Sequence, residues 1–312
     1  MDRFSLSISI FVIVYTMSLF KTTRFYLKSI VFTCLILGCS VYGVLISILL
    51  RIIGKKRYSQ YLVAKAFYST ISLVLGIKIN IKNEKYLHSN PAIYISNHQT
   101  ALDVFILGKV FQPGMTVTGK SSLKYVPFLG WFMYLSGTFF LDRSKSEKAR
   151  KVLNGALTDL KRDDSGLFVF PEGTRSGTKD LNMLPFKKGA FHLAKSAKIP
   201  VVPVVVSNTS EIFNAKEKVF ELGVINIEVL KPIETTNLET NEEVSKFADF
   251  VRDQMVDTLK RIGYAQSNSQ AATIKQASTD SQSSDSANET TKLLKKDTTT
   301  NKQEPISNNS SA

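Results

Sequence analysis

Cysteine is nearly missing from this 312-residue chain, and the two that occur, Cys34 and Cys39, lie inside one apolar run. They supply neither a disulfide framework nor a thiolate metal site, and small packing residues are all they need to be. Histidine is also scarce, at three, and no His, Cys, Asp and Glu cluster has ligand spacing, so no metal is expected. There is no G-x-S-x-G run, which excludes the strained serine elbow of the α/β-hydrolases. Acids are in deficit: 26 Asp and Glu against 40 Lys and Arg leave a net charge of +14. The last stretch, 265–312, has no aromatic residue and balances five Lys with five acids, so the whole excess sits in residues 1–264. A surface this basic suits anionic headgroups, nucleic acid or phosphorylated substrates. Adjacent apolar runs favour the lipid reading, and nothing points to nucleic acid or to an obligate protein partner.

What is present divides into three parts. Residues 1–60 hold two apolar segments, 4–20 and 29–50. The second has no charge from Ser29 to Leu50, and 22 residues at about 1.5 Å each can cross a hydrocarbon core of about 30 Å. The first is shorter and carries Ser5, Ser7, Ser9, Thr16 and Ser18, with no small-residue cleavage pattern after it. Lys21, Arg24 and Lys28 lie between the segments, and Arg51, Lys55, Lys56 and Arg57 follow the second. Two crossings would divide these clusters between opposite sides, against the positive-inside bias, whereas a hairpin dipping into one leaflet keeps them together. The hairpin is the expectation, with the rest of the chain in the cytosol, and two crossings stay open.

Residues 61–264 alternate short Val- and Ile-rich runs with amphipathic stretches. The spacing predicts strands over 77–81, 92–95, 115–118, 167–170, 201–206 and 224–230. It predicts helices from Ser144, with Glu147 completing a capping box, and over about 241–262, ended by Gly263. This is an α/β domain, a mixed sheet covered by helices, preceded by a membrane-anchoring helical hairpin. The polar tail, 265–312, cannot bury enough apolar surface to order itself and is expected to be disordered.

One motif matches by chance. Gly114 to Ser121 satisfies G-x-x-x-x-G-K-[ST], but the intervening Met-Thr-Val-Thr alternates as a strand does and Pro127 follows soon after. A phosphate loop needs a flexible turn and then a helix. Only Lys120 is kept from it, as a candidate anion ligand.

A second group of residues carries chemistry. The strand 92–95 runs into Ser96-Asn97-His98-Gln99-Thr100-Ala101-Leu102-Asp103. On one continuous helix a five-residue step would put His98 and Asp103 about 140° apart. They meet if His98 precedes a helix and Asp103 lies in its first turn, where the helix dipole favours the carboxylate and the carboxylate fixes the imidazole tautomer. Alone, His98 would read as a buried capping residue. Gly137-Thr138-Phe139-Phe140-Leu141-Asp142-Arg143, then Phe170-Pro171-Glu172-Gly173-Thr174-Arg175-Ser176, then Ile199-Pro200-Val201-Val202-Pro203-Val204 change that balance by their order.

These four blocks resemble the glycerolipid acyltransferases, with Leu141 standing where many members have isoleucine. With Lys120 to Trp131 and Pro185 to Ala190 added, the stretch from Ser29 to Tyr264 is similar to the fungal 1-acylglycerol-3-phosphate acyltransferases. The resemblance implies transfer of a fatty acyl group from acyl-CoA, as co-substrate and with no cofactor, to the free hydroxyl of lysophosphatidate. It implies His98 as general base oriented by Asp103. Arg175, Lys120 and Arg143, in that order, are the candidates for the acceptor phosphate. Gly173 and Thr174 would line the turn, and Glu172 would position the arginines or a glycerol hydroxyl. It further implies a place in the endoplasmic reticulum membrane or on lipid droplets. Another acceptor, glycerol-3-phosphate or a different lysophospholipid, is the alternative, as is a lipid-binding protein without turnover. His88, in a polar loop, and His192, in an apolar helix, are left without a catalytic role.

Overall fold

The computed structural model describes residues 20–142, 155, 160 and 162–268. The first apolar segment except Phe20, Arg143, the helix expected from Ser144 and the tail beyond 268 lie outside the described residues. The hairpin expectation falls there too, since one of its arms is the segment 4–20.

Described elements run α1 (Lys21–Ile52), α2 (Ser59–Leu75), β1 (Ile77–Lys82), β2 (Ala92–Ser96), α3 (Asp103–Val110), β3 (Met115–Lys120), α4 (Leu129–Ser136) and β4 (Phe139–Leu141). Then come β5 (Gly166–Val169), α5 (Gly189–Ala197), β6 (Val201–Val206), β7 (Phe213–Asn214), β8 (Val219–Phe220), β9 (Gly223–Val229), α6 (Asn241–Ile262) and β10 (Gln266–Ser267). One sheet has the order β1-β9-β6-β2-β5-β3-β4, with β10 beside β9, and β7 and β8 form a separate ladder. Strands β6, β2, β5, β3 and β4 are mutually parallel, while β9 runs antiparallel to β6 and β10, so the sheet is mixed. Parallel strands buried on both faces read as unbroken apolar runs, which is why β2, β5 and β6 are buried at every position. Their carboxyl ends share one edge, the usual ligand side of a parallel sheet. His98, Lys120 and Glu172 all follow such ends.

Helices cover both faces. One core joins Phe67 and Ile71 of α2, Phe105 of α3 and Tyr94, Phe168 and Val202 of the sheet. The other joins Ile93, Leu167 and Val201 to Phe191 of α5 and to Val244, Val251 and Met255 of α6. Helix α6 opens on a capping box between Thr240 and Glu243 and stops at Gly263, whose φ is +64°. Chain order continues past it: Ala265 is buried and Gln266–Ser267 pairs with Val224 and Gly223. The polar tail therefore begins after Ser267, not at 265. Residues 115–120 are extended and paired to β5, so the chance phosphate-loop match is a strand.

The apolar segment 29–50 departs most from expectation. It is the middle of α1, which is long and apolar enough to cross a membrane. Lys21, Arg24 and Lys28 are not in a turn before it but in the opening turns of the same helix. There Arg24 donates to Glu221 at 2.5 Å and Lys28 to the Phe220 carbonyl at 2.7 Å; at the far end Arg51 reaches the Leu135 carbonyl at 3.3 Å. Phe25, Phe32, Ser40, Gly43, Ser47 and Leu50 form one buried stripe, and Phe25 and Phe32 belong to the core of α2 and the sheet. The opposite face, with Ile30, Leu37, Val41, Leu45, Ile48 and Ile52, is exposed and just as apolar. A boundary at residue 60 thus does not set the helix apart from the domain's core, which α1 joins from Phe25 to Cys39.

Gly108 lets α3 cross α2 closely. A Cβ there would lie 2.7 Å from the Ala64 carbonyl oxygen and 2.8 Å from the Tyr68 Cβ. Helix propensity alone predicts that Gly108→Ala stabilises by about 1 kcal/mol. The clash is with backbone, so we expect a net loss of about 1 to 3 kcal/mol, read as a lower midpoint in thermal unfolding.

Candidate active site

Strand β2 ends in a run of buried polar side chains. Asn97 exchanges two hydrogen bonds with the Val206 backbone, both 2.9 Å, and Gln99 donates to the Val206 and Ser207 carbonyls and accepts from Thr209 N. These fix the segment to the end of β6 and leave His98 between them. The sequence marked both residues only as polar interruptions; their pairing with β6 needed the strand order.

Asp103 is the first residue of α3 and is fully buried. Its Oδ2 accepts from Gln99 N at 2.8 Å, from Thr100 N at 3.2 Å and from His98 Nδ1 at 2.5 Å. A carboxylate can only accept, so Nδ1 carries the proton and Nε2 keeps its lone pair. Among the described residues Oδ1 has no partner. The imidazole stacks on Phe170, with ring centroids 4.2 Å apart and planes 20° apart. Phe170 follows β5 and opens the third block, and its part was not legible in the sequence.

Glu172 lies behind the histidine, not in the cavity. Its Oε1 accepts from His98 N at 2.6 Å and its Oε2 from Leu184 N at 2.9 Å. Ser176 N and Gly177 N return bonds to the carbonyls of His98 and Gln99 at 2.8 and 3.2 Å. Each oxygen thus accepts from a backbone amide, a tie between the third block and the base that the expected role in positioning arginines or a glycerol hydroxyl did not include. Burial holds the Glu172 carboxyl above its ordinary range, although the amides of His98 and Leu184 oppose that. Gly173 turns the chain at φ +71°, and a Cβ there would meet the Lys187 side chain at 2.8 Å. That places Lys187, unassigned by the sequence, over the turn.

In front of His98 opens a cavity of about 590 Å³. Its polar lining includes His98, Lys120, Thr174 and Arg175; its apolar walls include Phe32 of α1, Phe67 of α2, Leu107 of α3 and Phe132 of α4. Neither Lys120 nor Arg175 makes an ion pair among the described residues. Two cations and a base on the lining of a largely apolar pocket can hold an anionic head and a hydrocarbon tail together. Among the described residues no group of three His, Cys, Asp or Glu could hold a metal. His88 closes a short 3-10 turn and His192 lies in α5; neither lines the cavity.

The chain is similar to known proteins. The family described as Acyltransferase matches residues 78–207. The 1-acyl-sn-glycerol-3-phosphate acyltransferase of Saccharomyces cerevisiae is 53% identical over 249 residues, covering 80% of this chain and 82% of that protein. This chain belongs to the 1-acyl-sn-glycerol-3-phosphate acyltransferase family. The human beta form of that acyltransferase is 30% identical over 82% of this chain and 91% of its own. In fold, the acyltransferase resembles the crystal structure of the 1-acyl-sn-glycerophosphate acyltransferase of Thermotoga maritima, with a TM-score of 0.60 and 23% identity over 79% of this chain and 98% of the other.

Proposed function

We propose that the protein moves a fatty acyl group from acyl-CoA to the 2-hydroxyl of lysophosphatidate, giving phosphatidate and free CoA at the cytosolic face of the endoplasmic reticulum membrane. The observation that carries this reading is the His98–Asp103 pair, 2.5 Å between Nδ1 and Oδ2, with His98 on the lining of the apolar cavity. An alcohol is a weak nucleophile at neutral pH. His98 Nε2 takes its proton as the oxygen attacks the thioester carbon, and Asp103 stabilises the imidazolium that forms. The carbon–sulfur bond then breaks, and the imidazolium returns the proton to the departing thiolate. No acyl-enzyme is needed, since the thioester is already activated, and both cysteines lie on α1.

Arg175 and Lys120 hold the acceptor's phosphate, Arg175 through the fork of its guanidinium and Lys120 as a point charge. Arg143, beyond the described residues, is kept as a third cation. The fatty chain occupies the apolar walls. Arg175→Ala is expected to remove about 1.5 to 3 kcal/mol of charge-assisted bonding, on the order of 10- to 100-fold in kcat/KM for the acceptor, with acyl-CoA affected less. The test of the whole reading is a panel of glycerol-3-phosphate, lysophosphatidate, lysophosphatidylcholine and lysophosphatidylinositol, each offered with oleoyl-CoA and followed by CoA release. Lysophosphatidate should be used best. Preference for another acceptor overturns the substrate assignment, and no CoA release with any of them overturns the catalytic one in favour of a lipid-binding role.

A further inference from the structure

Residues 121–136, between β3 and β4, have two unlike faces. Inward, Leu123, Leu129, Phe132 and Met133 line the cavity. Outward, Tyr125, Trp131 and Tyr134 are 83, 54 and 60% exposed, and Phe128 stands beside them at 41%. The outward rings form one group: Phe128 meets Trp131 edge-on with centroids 5.2 Å apart, Trp131 and Tyr134 are one turn apart on α4, and the Lys124 ammonium lies 5.5 Å from the Tyr134 ring centre. The backbone holds them outward. Phe128 has φ +60°, a conformation that a bulky side chain adopts only where its surroundings impose it, and a Cβ at Gly130 would lie 2.2 Å from the Lys124 carbonyl oxygen. Clustered exposed rings of this kind mark a binding surface.

Composition and position select the partner. Between Asp103 and Asp142 the sequence has no acidic residue, while Lys120 and Lys124 flank the group. Tyr and Trp beside Lys are the residues that settle at the level of lipid headgroups, rings toward the chains and polar tips toward water. The segment also packs against the apolar helix. Phe132 seats on Gly43 of α1, where a Cβ would meet its ring at 2.6 Å, and Arg51 bonds the Leu135 carbonyl. On its other face α1 presents Leu45, Ile48, Leu49 and Ile52 outward.

We propose that the outward face of residues 121–136 is a second membrane contact, separate from the apolar helix, that lies at the headgroup level of an anionic leaflet and seats the cavity wall against it. The proposal does not depend on which acceptor the site takes. Trp131 is the only tryptophan in the chain, so its fluorescence reads this face alone. The full-length protein is reconstituted into phosphatidylcholine and phosphatidylserine vesicles, with and without bromine on the lipid chains near the headgroup, and co-flotation confirms its association. Most of the Trp131 emission should be lost in the brominated vesicles and protected from acrylamide. Equal emission in both vesicles with acrylamide access retained overturns the proposal. So does protection from acrylamide without bromine quenching, which assigns the face to a protein, a second copy included. In a second measurement, the double variant Trp131→Ser, Tyr134→Ser should raise the apparent KM for vesicle-borne acceptor several-fold and leave turnover of a short-chain, monomerically dissolved acceptor unchanged. An equal loss on both acceptors also overturns it.

Discussion

Replacing His98 by alanine is expected to lower kcat by about 10² to 10⁴, the usual worth of a general base, with the fold intact. The fold survives because the segment is held by Asn97, Gln99 and the His98 main chain and not by the imidazole. Steady-state CoA release by the variant, beside its thermal unfolding, checks this; near-normal turnover would remove His98 from the mechanism. Asp103→Asn makes a finer distinction. Only Oδ2 of Asp103 is engaged, so an asparagine can put its carbonyl there and its amide at the unpartnered Oδ1 position. The imidazole would keep its tautomer and lose the charge that stabilises its protonated form. Turnover should fall severely, because the imidazolium formed in the step loses its counter-charge, while thermal unfolding should change little.

The second large effect belongs to Glu172→Ala. It leaves the buried amides of His98 and Leu184 without acceptors, at about 1 to 3 kcal/mol each. It also frees the segment carrying the base, and a displacement near 1 Å can cost on the order of 10² in rate. We expect kcat to fall with both KM values little changed, since Glu172 is not among the cavity's lining residues. A rise in acceptor KM with kcat preserved would return Glu172 to the substrate. Glu172→Gln keeps one acceptor and should be intermediate. Because the carboxyl is held above its ordinary 4.5, the folded protein binds that proton more tightly than the unfolded chain. Its contribution to stability is therefore full below pH 4.5 and is lost as the pH rises through the raised value. Comparing unfolding midpoints with pH, the deficit of Glu172→Gln should be largest in acid and shrink on the way to neutrality.

Strands were legible because buried parallel strands are written as unbroken runs of Val and Ile, and α6 because its stripe is bounded by Thr240 and Gly263. The His98–Asp103 spacing was legible because only a strand-to-helix junction lets the two meet. Strands β4, β7, β8 and β10 were not, since two or three residues are too few to show a pattern, and β10 owes its place to Val224 and Gly223 far back along the chain. The use of Glu172 was hidden for a related reason. A carboxylate in a turn looks the same in sequence whether it faces a ligand or an amide, and His98 N is 74 residues away. For α1, charge-free length is the signature of lipid, but the sequence does not say that one stripe of the helix is also protein core.

That double use of α1 bears on how the chain is made. The helix leaves the ribosome early, yet its Arg24 partner, Glu221, is 197 residues further on. At about 5 to 20 residues per second, on the order of 10 to 40 s pass before Glu221 and the neighbouring Phe213 and Phe220 have been synthesised. During that interval Phe32 can already meet Phe67 of α2, whereas Phe25, whose later partner is Phe213, is left to lipid or a chaperone. The bilayer is then an assembly surface before it is a workplace, and a fragment shortened to dispense with it would lose both its first folding partner and a wall of its cavity.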